Sequence, residues 1–377
     1  MGHLVNTKEE VYRALAERLN KNPIGTPVNE DLLAILYRLY TESEAMVGSK
    51  FPIIPMTLDS IAGITGIKQA ELKKTLDSMA NKGLVVDIPR RDGINYILAP
   101  MVIGFFEHTF MRVPTEVNLK EMAELFDKYF QHPEVGMEIL GKDTKFFQTV
   151  MYENLISAAV ETEVLDYERA SEIIRQSGGG GIGICACRHK ASHQGKTCEL
   201  NAPLETCISL GEGAEWLVRR GMAKAATVDE LLRVLDQTEK LGLVHLCDNV
   251  LNQPAYMCNC CACCCGVLRG AREYRVFSTH PSNFIPALKI EDCTGCGACA
   301  EHCPINAITM RDDGKGEVPD INKDICLGCG KCAAACPGNS LTMSRRSVLR
   351  VPPVDKTEQL TRIAREKDKM YFKLGPL

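Results

Sequence analysis

Apolar and polar positions change their period several times along this chain. The opening stretch, MGHLVNTKEEVYRALAERLN, is charged and amphipathic. EDLLAILYRLY, from residue 30, repeats its apolar side chains at helical spacing. TLDSIAGITG predicts a short helix ending at Gly66. IKQAELKKTLDSMANKG predicts a longer one, with Ile67, Leu72, Leu76 and Met79 on one face and Gly83 closing it. LVVDIP and INYILAP then read as two strands around the turn RRDG. From GFFEHTFMRVPTEVNLKEMAELFDKYFQ onward to Glu163 the pattern is helical, with aromatics at core spacing that read as packing rather than a cofactor pocket. DYERASEIIRQ reads as a helix capped by Asp166, and IGICAC as a short strand. EGAEWLVRRGMAKAATVDELLRVLDQTEKLG reads as two helices, the second capped by Thr227 and ended by Gly242, and LGLVH follows as a strand.

The order helix–helix–helix–hairpin over residues 30–100 resembles a winged helix of the kind found in regulators related to the MarR family. Charge changes what that resemblance implies. Residues 30–100 hold eight Lys/Arg against nine Asp/Glu, a net of −1, whereas a DNA-binding domain draws much of its affinity from neutralising phosphates. Lys68, Lys73, Lys74, Arg90 and Arg91 make only a modest basic patch, so protein docking is expected rather than DNA binding.

The chain has 377 residues, 45% hydrophobic and 24% charged, enough for two or three soluble domains. No apolar run approaches the ~18 residues that mark a membrane span. The N-terminus lacks the apolar core and cleavage site of a signal peptide, and Asn6 stands where a myristoylation signal at Gly2 needs Ser or Thr. A cytoplasmic protein is expected.

Nineteen cysteines, all between Cys185 and Cys336, then change the picture. In a reducing compartment they are not disulfides. CTGCGACAEHCP and CLGCGKCAAACP both read C-x2-C-x2-C-x3-C-P, with Cys293, Cys296, Cys299 and Cys303 recurring 33 positions later as Cys326, Cys329, Cys332 and Cys336. Three thiolates at steps of three wrap one corner of an iron–sulfur cube. The fourth, before Pro304 or Pro337, crosses to the other cube. Cys293, Cys296, Cys299 and Cys336 are thus expected to hold one [4Fe–4S] cluster, and Cys326, Cys329, Cys332 and Cys303 the second. Residues 284–344 resemble a bacterial dicluster ferredoxin.

Eleven cysteines remain. YMCNCCACCCG places Cys258, Cys260, Cys261, Cys263, Cys264 and Cys265 within eight positions. Six thiolates exceed what one cube accepts, so two metal centres or one larger cluster are expected here, completed by Cys185, Cys187, Cys198 and Cys207. An extended segment would turn the pairs Cys260–Cys261 and Cys263–Cys264 toward two sides. A helical turn would gather Cys258, Cys261, Cys264 and Cys265 on one. The alternative for Cys185, Cys187, Cys198 and Cys207 is a zinc site. Cys247, among apolar neighbours, reads as a buried free thiol. His189, His193 and His245 are candidate ligands or donors to sulfur, with packing the plainer reading. SGGGGIG contains G-x-G-x-x-G at Gly178, Gly180 and Gly183, but follows a helix and lacks Lys-Ser/Thr, so it is read as a helix C-cap and a flexible approach to the first cysteines rather than a nucleotide loop.

The expected architecture is multidomain α+β: a winged-helix-like domain over 1–105, a helical linker over 106–176, a small α/β cysteine-rich iron–sulfur domain over 177–283, the dicluster ferredoxin module over 284–344, and a basic tail over 345–377. The tail carries nine Lys/Arg against four Asp/Glu and the ferredoxin stretch five against eight, so the tail is a candidate clamp on that acidic module or a docking arm. CACRH, the CNCC…CCCGVLRG run and the terminal ferredoxin together resemble a group of multicluster ferredoxin-type proteins of anaerobes. That resemblance implies low-potential one-electron transfer, with one or two central clusters beside the ferredoxin pair and a larger flavin- or metal-containing redox enzyme as partner. The other readings are a redox- or iron-sensing transcription regulator and a reductase with an open-site central cluster. No carboxylate pair or nucleophile–base set names a substrate.

Overall fold

The computed structural model describes residues 2–91, 93–113, 115–140, 143–157, 161, 164–314 and 316–369. Asp92 of the RRDG turn, parts of the run to Glu163 and tail residues 370–377 lie outside them. The N-terminal part comprises α1 (Gly2–Asn20), α2 (Glu30–Leu39), α3 (Glu42–Ser49), β1 (Met56–Thr57), α4 (Leu58–Thr65), α5 (Gln69–Asn81), β2 (Val85–Arg90) and β3 (Gly93–Leu98). The helix starts are set by side chains that take otherwise unpaired backbone N–H groups. Asn29 accepts from Leu32 N, Thr41 forms a capping box with Glu44, and Thr57 accepts from Ser60 N. Gly66 ends α4 in the left-handed region. Gly83 at φ +75° ends the turn after α5, where a Cβ would lie 2.4 Å from that of His108. The strands form an antiparallel sheet in the order β1-β3-β2. Leu72, Leu76 and Met79 of α5 are fully buried with Leu32, Ile35 and Leu36 of α2, while Ile67 precedes the helix and is only partly covered.

The same core continues into α6 (Phe106–Met111) and α7 (Leu119–Phe130), followed by α8 (Pro133–Leu140). Phe106 meets Phe126 edge-on at 5.0 Å, so these aromatics are packing. The helical expectation fails next: Phe147–Val150 is β4, a fully buried strand. Four apolar or polar residues buried on both faces carry no two-residue alternation for sequence to show.

The strand joins a seven-stranded sheet that is larger than the small domain expected. Its further elements are α9 (Ala170–Ser177), β5 (Gly180–Ile184), α10 (Ala186–His193), β6 (Glu205–Leu210), α11 (Gly211–Arg219), β7 (Ala223–Ala226), α12 (Val228–Lys240), β8 (Val244–Asp248), β9 (Tyr256–Cys260), α13 (Gly266–Glu273) and β10 (Thr279–His280). The order is β10-β4-β8-β9-β6-β5-β7, with only β10 and β4 parallel. Ile173 and Ile174 of α9 and Leu231 and Leu235 of α12 cover Ile208, Leu210 and Met257. Asp166 does not cap α9. Its carboxylate accepts from Gln176 Nε2, and Arg169 occupies the cap position without a side-chain bond. The glycine run is not a flexible approach beyond Gly178: Gly180–Gly183 are strand β5, and a Cβ on Gly180 would lie 2.2 Å from the Ser209 carbonyl oxygen.

The last part comprises β11 (Phe284–Leu288), α14 (Ala298–Glu301), β12 (Ile308–Asp312), β13 (Glu317–Ile321), α15 (Lys331–Ala334), β14 (Leu341–Arg345) and α16 (Lys356–Glu366). β11 pairs with β14 and β12 with β13, both antiparallel. The tail does not lie mainly on the acidic ferredoxin stretch. Lys356 pairs with the fully buried Asp248, Gln359 donates to the Phe146 carbonyl at 3.0 Å, and Lys369 pairs with Glu138 at 2.5 Å. Arg346 reaches a cluster loop, donating to the Cys326 carbonyl at 2.7 Å.

The hairpin β2–β3 is docked in cis. Asp87, buried, accepts from Trp216 Nε1 at 2.8 Å and Arg220 Nε at 3.0 Å and pairs with Arg219. Arg90 forms a two-bond contact with Glu212 at 2.9 and 3.2 Å.

Candidate metal centres

In the C-terminal module each cysteine loop curls through left-handed glycines, Gly295 and Gly297 in the first and Gly328 and Gly330 in the second. A Cβ on Gly295 would lie 2.6 Å from the Glu317 carbonyl oxygen, and one on Gly328 2.2 Å from that of Phe284. Only glycine lets the loops pass this close. The loops aim backbone N–H groups at sulfur: Gly328 N toward Cys326, Lys331 N toward Cys329, and Gly338, Ser340 and Leu341 N toward Cys336. Such donors stabilise thiolates and tune a cluster held by them. Cys303, from the first loop, faces the second. Burial pushes the Cys329 thiol up to about 12, and Cys326 and Cys303 raise it further. Cys332 is raised by burial and then by Cys329, Cys326 and Cys303. Cys299 is raised by burial and feels Cys296 and Cys293 of its own loop. The first loop is the open one, with Cys296 exposed, while Cys326, Cys329 and Cys332 are buried. This donor set fits a pair of iron–sulfur cubes.

The eleven central cysteines divide. Cys198, Cys261, Cys263 and Cys264 bring their sulfurs within 4.8 Å of one another. Cys185, Cys187, Cys207, Cys258, Cys260 and Cys265 form a second, longer set. There Cys207 and Cys260 donate toward Cys258 and pull its thiol well down, Cys187 and Cys260 do the same for Cys265, and burial pushes Cys185 up to about 11. Cys247 stands apart, fully buried on β8, donating to the Tyr256 carbonyl at 3.2 Å. Cys260 and Cys261 thus go to different sets, while Cys263 and Cys264 go to the same one. The helical alternative fails, because Cys258 and Cys265 part from Cys261 and Cys264. The alternative zinc grouping of Cys185, Cys187, Cys198 and Cys207 is not brought together: Cys198 lies on the loop after α10, and the other three line the sheet. The cause is strand topology. β9 is flanked by β6, and β6 by β5, so Cys258 and Cys260 meet Cys207 and the β5–α10 junction that carries Cys185 and Cys187.

Arg188 lies between the two sets, 3% exposed. It donates to the carbonyls of Pro203 (3.1 Å) and Asn259 (3.0 Å) and to Thr206, and its Nη1 is 3.9 Å from Cys261 Sγ. The six-thiol set also borders the N-terminal core, against which Cys187 and Cys207 pack. Burial raises the Glu107 carboxyl of α6 to about 8, and Cys258 adds to the rise. His189 donates through Nδ1 to the Phe110 carbonyl at 2.6 Å and His193 meets its Nε2 at 3.0 Å, so neither joins a cysteine set.

The second ferredoxin loop touches the central sheet through Tyr152. Tyr152 N donates to the Cys329 carbonyl at 3.3 Å, and its hydroxyl donates to the Leu243 carbonyl at 2.7 Å. Its ring lies 5.3 Å from that of His245, whose Nδ1 donates to Asn259 Oδ1 at 2.7 Å. Asn259 sits between Cys258 and Cys260. Tyr152, His245 and Asn259 are each no more than 2% exposed. Sequence reasoning passed over Arg188, Tyr152, Asn259 and Glu107. Only Arg188 carried a signal, a cation set among cysteines in CACRHK.

Residues 292–340 match the family model of the 4Fe-4S dicluster domain. No curated protein and no solved structure matches this chain. The chain is an iron–sulfur protein with a dicluster ferredoxin module at its C-terminal end, built on mixed helix and sheet. No described helix is long and apolar enough to cross a membrane.

Proposed function

We propose that this protein relays low-potential single electrons between a redox partner and a buried iron–sulfur centre on the six-thiol set. The two ferredoxin clusters, with crossed fourth ligands at Cys303 and Cys336, are the entry. The first loop, open to solvent at Cys296, meets the partner, and the buried loop of Cys326, Cys329 and Cys332 passes electrons inward. The observation that carries this reading is the buried contact Cys329–Tyr152–His245–Asn259, which leads from the second loop to Cys258 and Cys260 without crossing solvent. Burial and sulfur-directed hydrogen bonds are the levers that set such potentials. The partner is a flavin- or metal-containing oxidoreductase of cytoplasmic anaerobic metabolism, the setting that the sequence resemblance implies. Stepwise reduction of the anaerobically prepared full-length protein, followed by EPR, tests the relay. Signals of two cubes should be joined by a third that persists when Cys303 and Cys336 are replaced. Electron uptake confined to the ferredoxin pair would refute it.

A second reading is favoured by one contact: the six-thiol set packs against the N-terminal unit, which we read as a winged helix. A regulator would use that contact to report cluster state. Against it, Arg90 and Asp87 of the hairpin are already engaged with α11. DNA binding across a salt series should therefore be weak and indifferent to sequence. Tight binding to one duplex near physiological salt would favour the regulator.

A further inference from the structure

The four-thiol set differs from every other cysteine group in its spacing. Cys263 Sγ lies 3.9 Å from Cys198 Sγ and 3.7 Å from Cys264 Sγ, and all four sulfurs fall within 4.8 Å of one another. Four sulfurs around one ion at a metal–sulfur distance of about 2.3 Å stand roughly 3.8 Å apart, the edge of a tetrahedron. Thiolates on the corners of a four-iron cube stand much wider, at roughly 6 Å, because each binds its own iron. The ferredoxin cysteines act as an internal reference: among the described residues, no other group of three or more His, Cys, Asp or Glu ligand atoms closes to 4.8 Å.

We propose that Cys198, Cys261, Cys263 and Cys264 bind a single zinc ion in a tetrahedral, all-thiolate site separate from the iron–sulfur centres. The site has the features of a closed structural centre. Cys261 and Cys264 are buried, and Ala191, Leu243, Leu200 and Ala202 form an apolar cup around the four sulfurs. Glu199 N donates to Cys263 and Cys264 N to Cys261, orienting both sulfurs. Four thiolates and a dication leave a net charge of −2, and the buried Arg188 guanidinium, 3.9 Å from Cys261 Sγ, offsets part of it. No ligand position is left for substrate, and zinc has no second oxidation state to take an electron. The ion therefore acts as a clamp. It ties the loop after α10 to the turn between β9 and α13, which runs from Cys260 to Cys265 of the six-thiol set. The inference stands whether or not the relay reading does.

Full-length protein made with iron and zinc both supplied, and purified without oxygen, tests it. About one zinc per chain is expected, with zinc-edge X-ray absorption showing four sulfur neighbours at about 2.3 Å and no lighter ligand. Cobalt in its place should give the intense visible bands of tetrahedral cobalt thiolate. Cys198→Ser and Cys263→Ser should lower zinc at least tenfold while the ferredoxin EPR signals stay unchanged. The absorption and cobalt measurements need no variant, so a misfolded variant leaves the test intact. Wild-type protein without zinc, zinc with nitrogen or oxygen neighbours, or variants that lose iron and keep zinc would overturn the proposal.

Discussion

The C-terminal module and the central sheet both gather cysteines, but by different means. In the module, each set of three comes from one loop of seven residues, and the fold need only bring two loops face to face to supply the fourth. In the centre, no segment supplies a whole site. Cys185, Cys187, Cys207, Cys258, Cys260 and Cys265 come from two strands, β6 and β9, and from the starts of two helices, α10 and α13, and they meet because β9, β6 and β5 are neighbours. Local sites survive small changes elsewhere, whereas topological sites depend on the whole sheet. The difference extends to exposure. The first ferredoxin loop opens to solvent at Cys296, while the six-thiol set lies against the N-terminal core through Cys187 and Cys207 and buries Cys260 and Cys265. A cluster at the rim can exchange electrons with a partner. A centre deep in the sheet can receive them only through protein.

Replacing a crossing cysteine should break the module most completely. Cys303→Ser is expected to abolish the EPR signal of the cluster on Cys326, Cys329 and Cys332, about four of some eight irons, and to spare the cluster on its own loop. Loss of the nearer cluster instead would mean that the fourth ligands do not cross.

The central sheet should be more sensitive to a distant change. Asp87→Asn leaves Arg219 and Arg220 without their carboxylate and is expected to cost about 3 kcal/mol, read as a lower melting temperature. Asp87 is held below its ordinary pKa chiefly by Arg220 and Trp216, against the opposing effect of burial. The sign follows: the stabilisation is complete above the ordinary value of 3.8 and is lost as pH falls through the depressed folded value. The wild-type and variant melting curves should therefore converge at acid pH. A constant gap down to pH 2 would contradict this assignment.

The smallest effect is expected at Cys247, the one central cysteine outside both sets. Cys247→Ala should cost about 1 kcal/mol and leave iron and zinc contents unchanged. A fall in iron would return it to the ligands.

The same contrast explains what could be read from the chain itself. The duplicated C-x2-C-x2-C-x3-C-P string displays its candidate ligands because their spacing is local. The caps at Thr227 and Gly66 were legible for the same reason. Grouping Cys198 with Cys185, Cys187 and Cys207 was not, because the separation arises from the turn after β9 and from strand order. The strand at Phe147–Val150 was hidden by burial on both faces. Tyr152, His245 and Asn259 look like ordinary core residues until β8 and β9 pair and place His245 opposite Asn259.

The central claim is that iron–sulfur chemistry extends beyond the ferredoxin pair into the sheet. Its most direct test is the content of iron and acid-labile sulfide in full-length protein prepared without oxygen. Clearly more than the ~8 irons of two cubes is expected, with matching sulfide. A value that stops at about eight, with Cys185, Cys187, Cys207, Cys258, Cys260 and Cys265 reacting as free thiols, would contradict it.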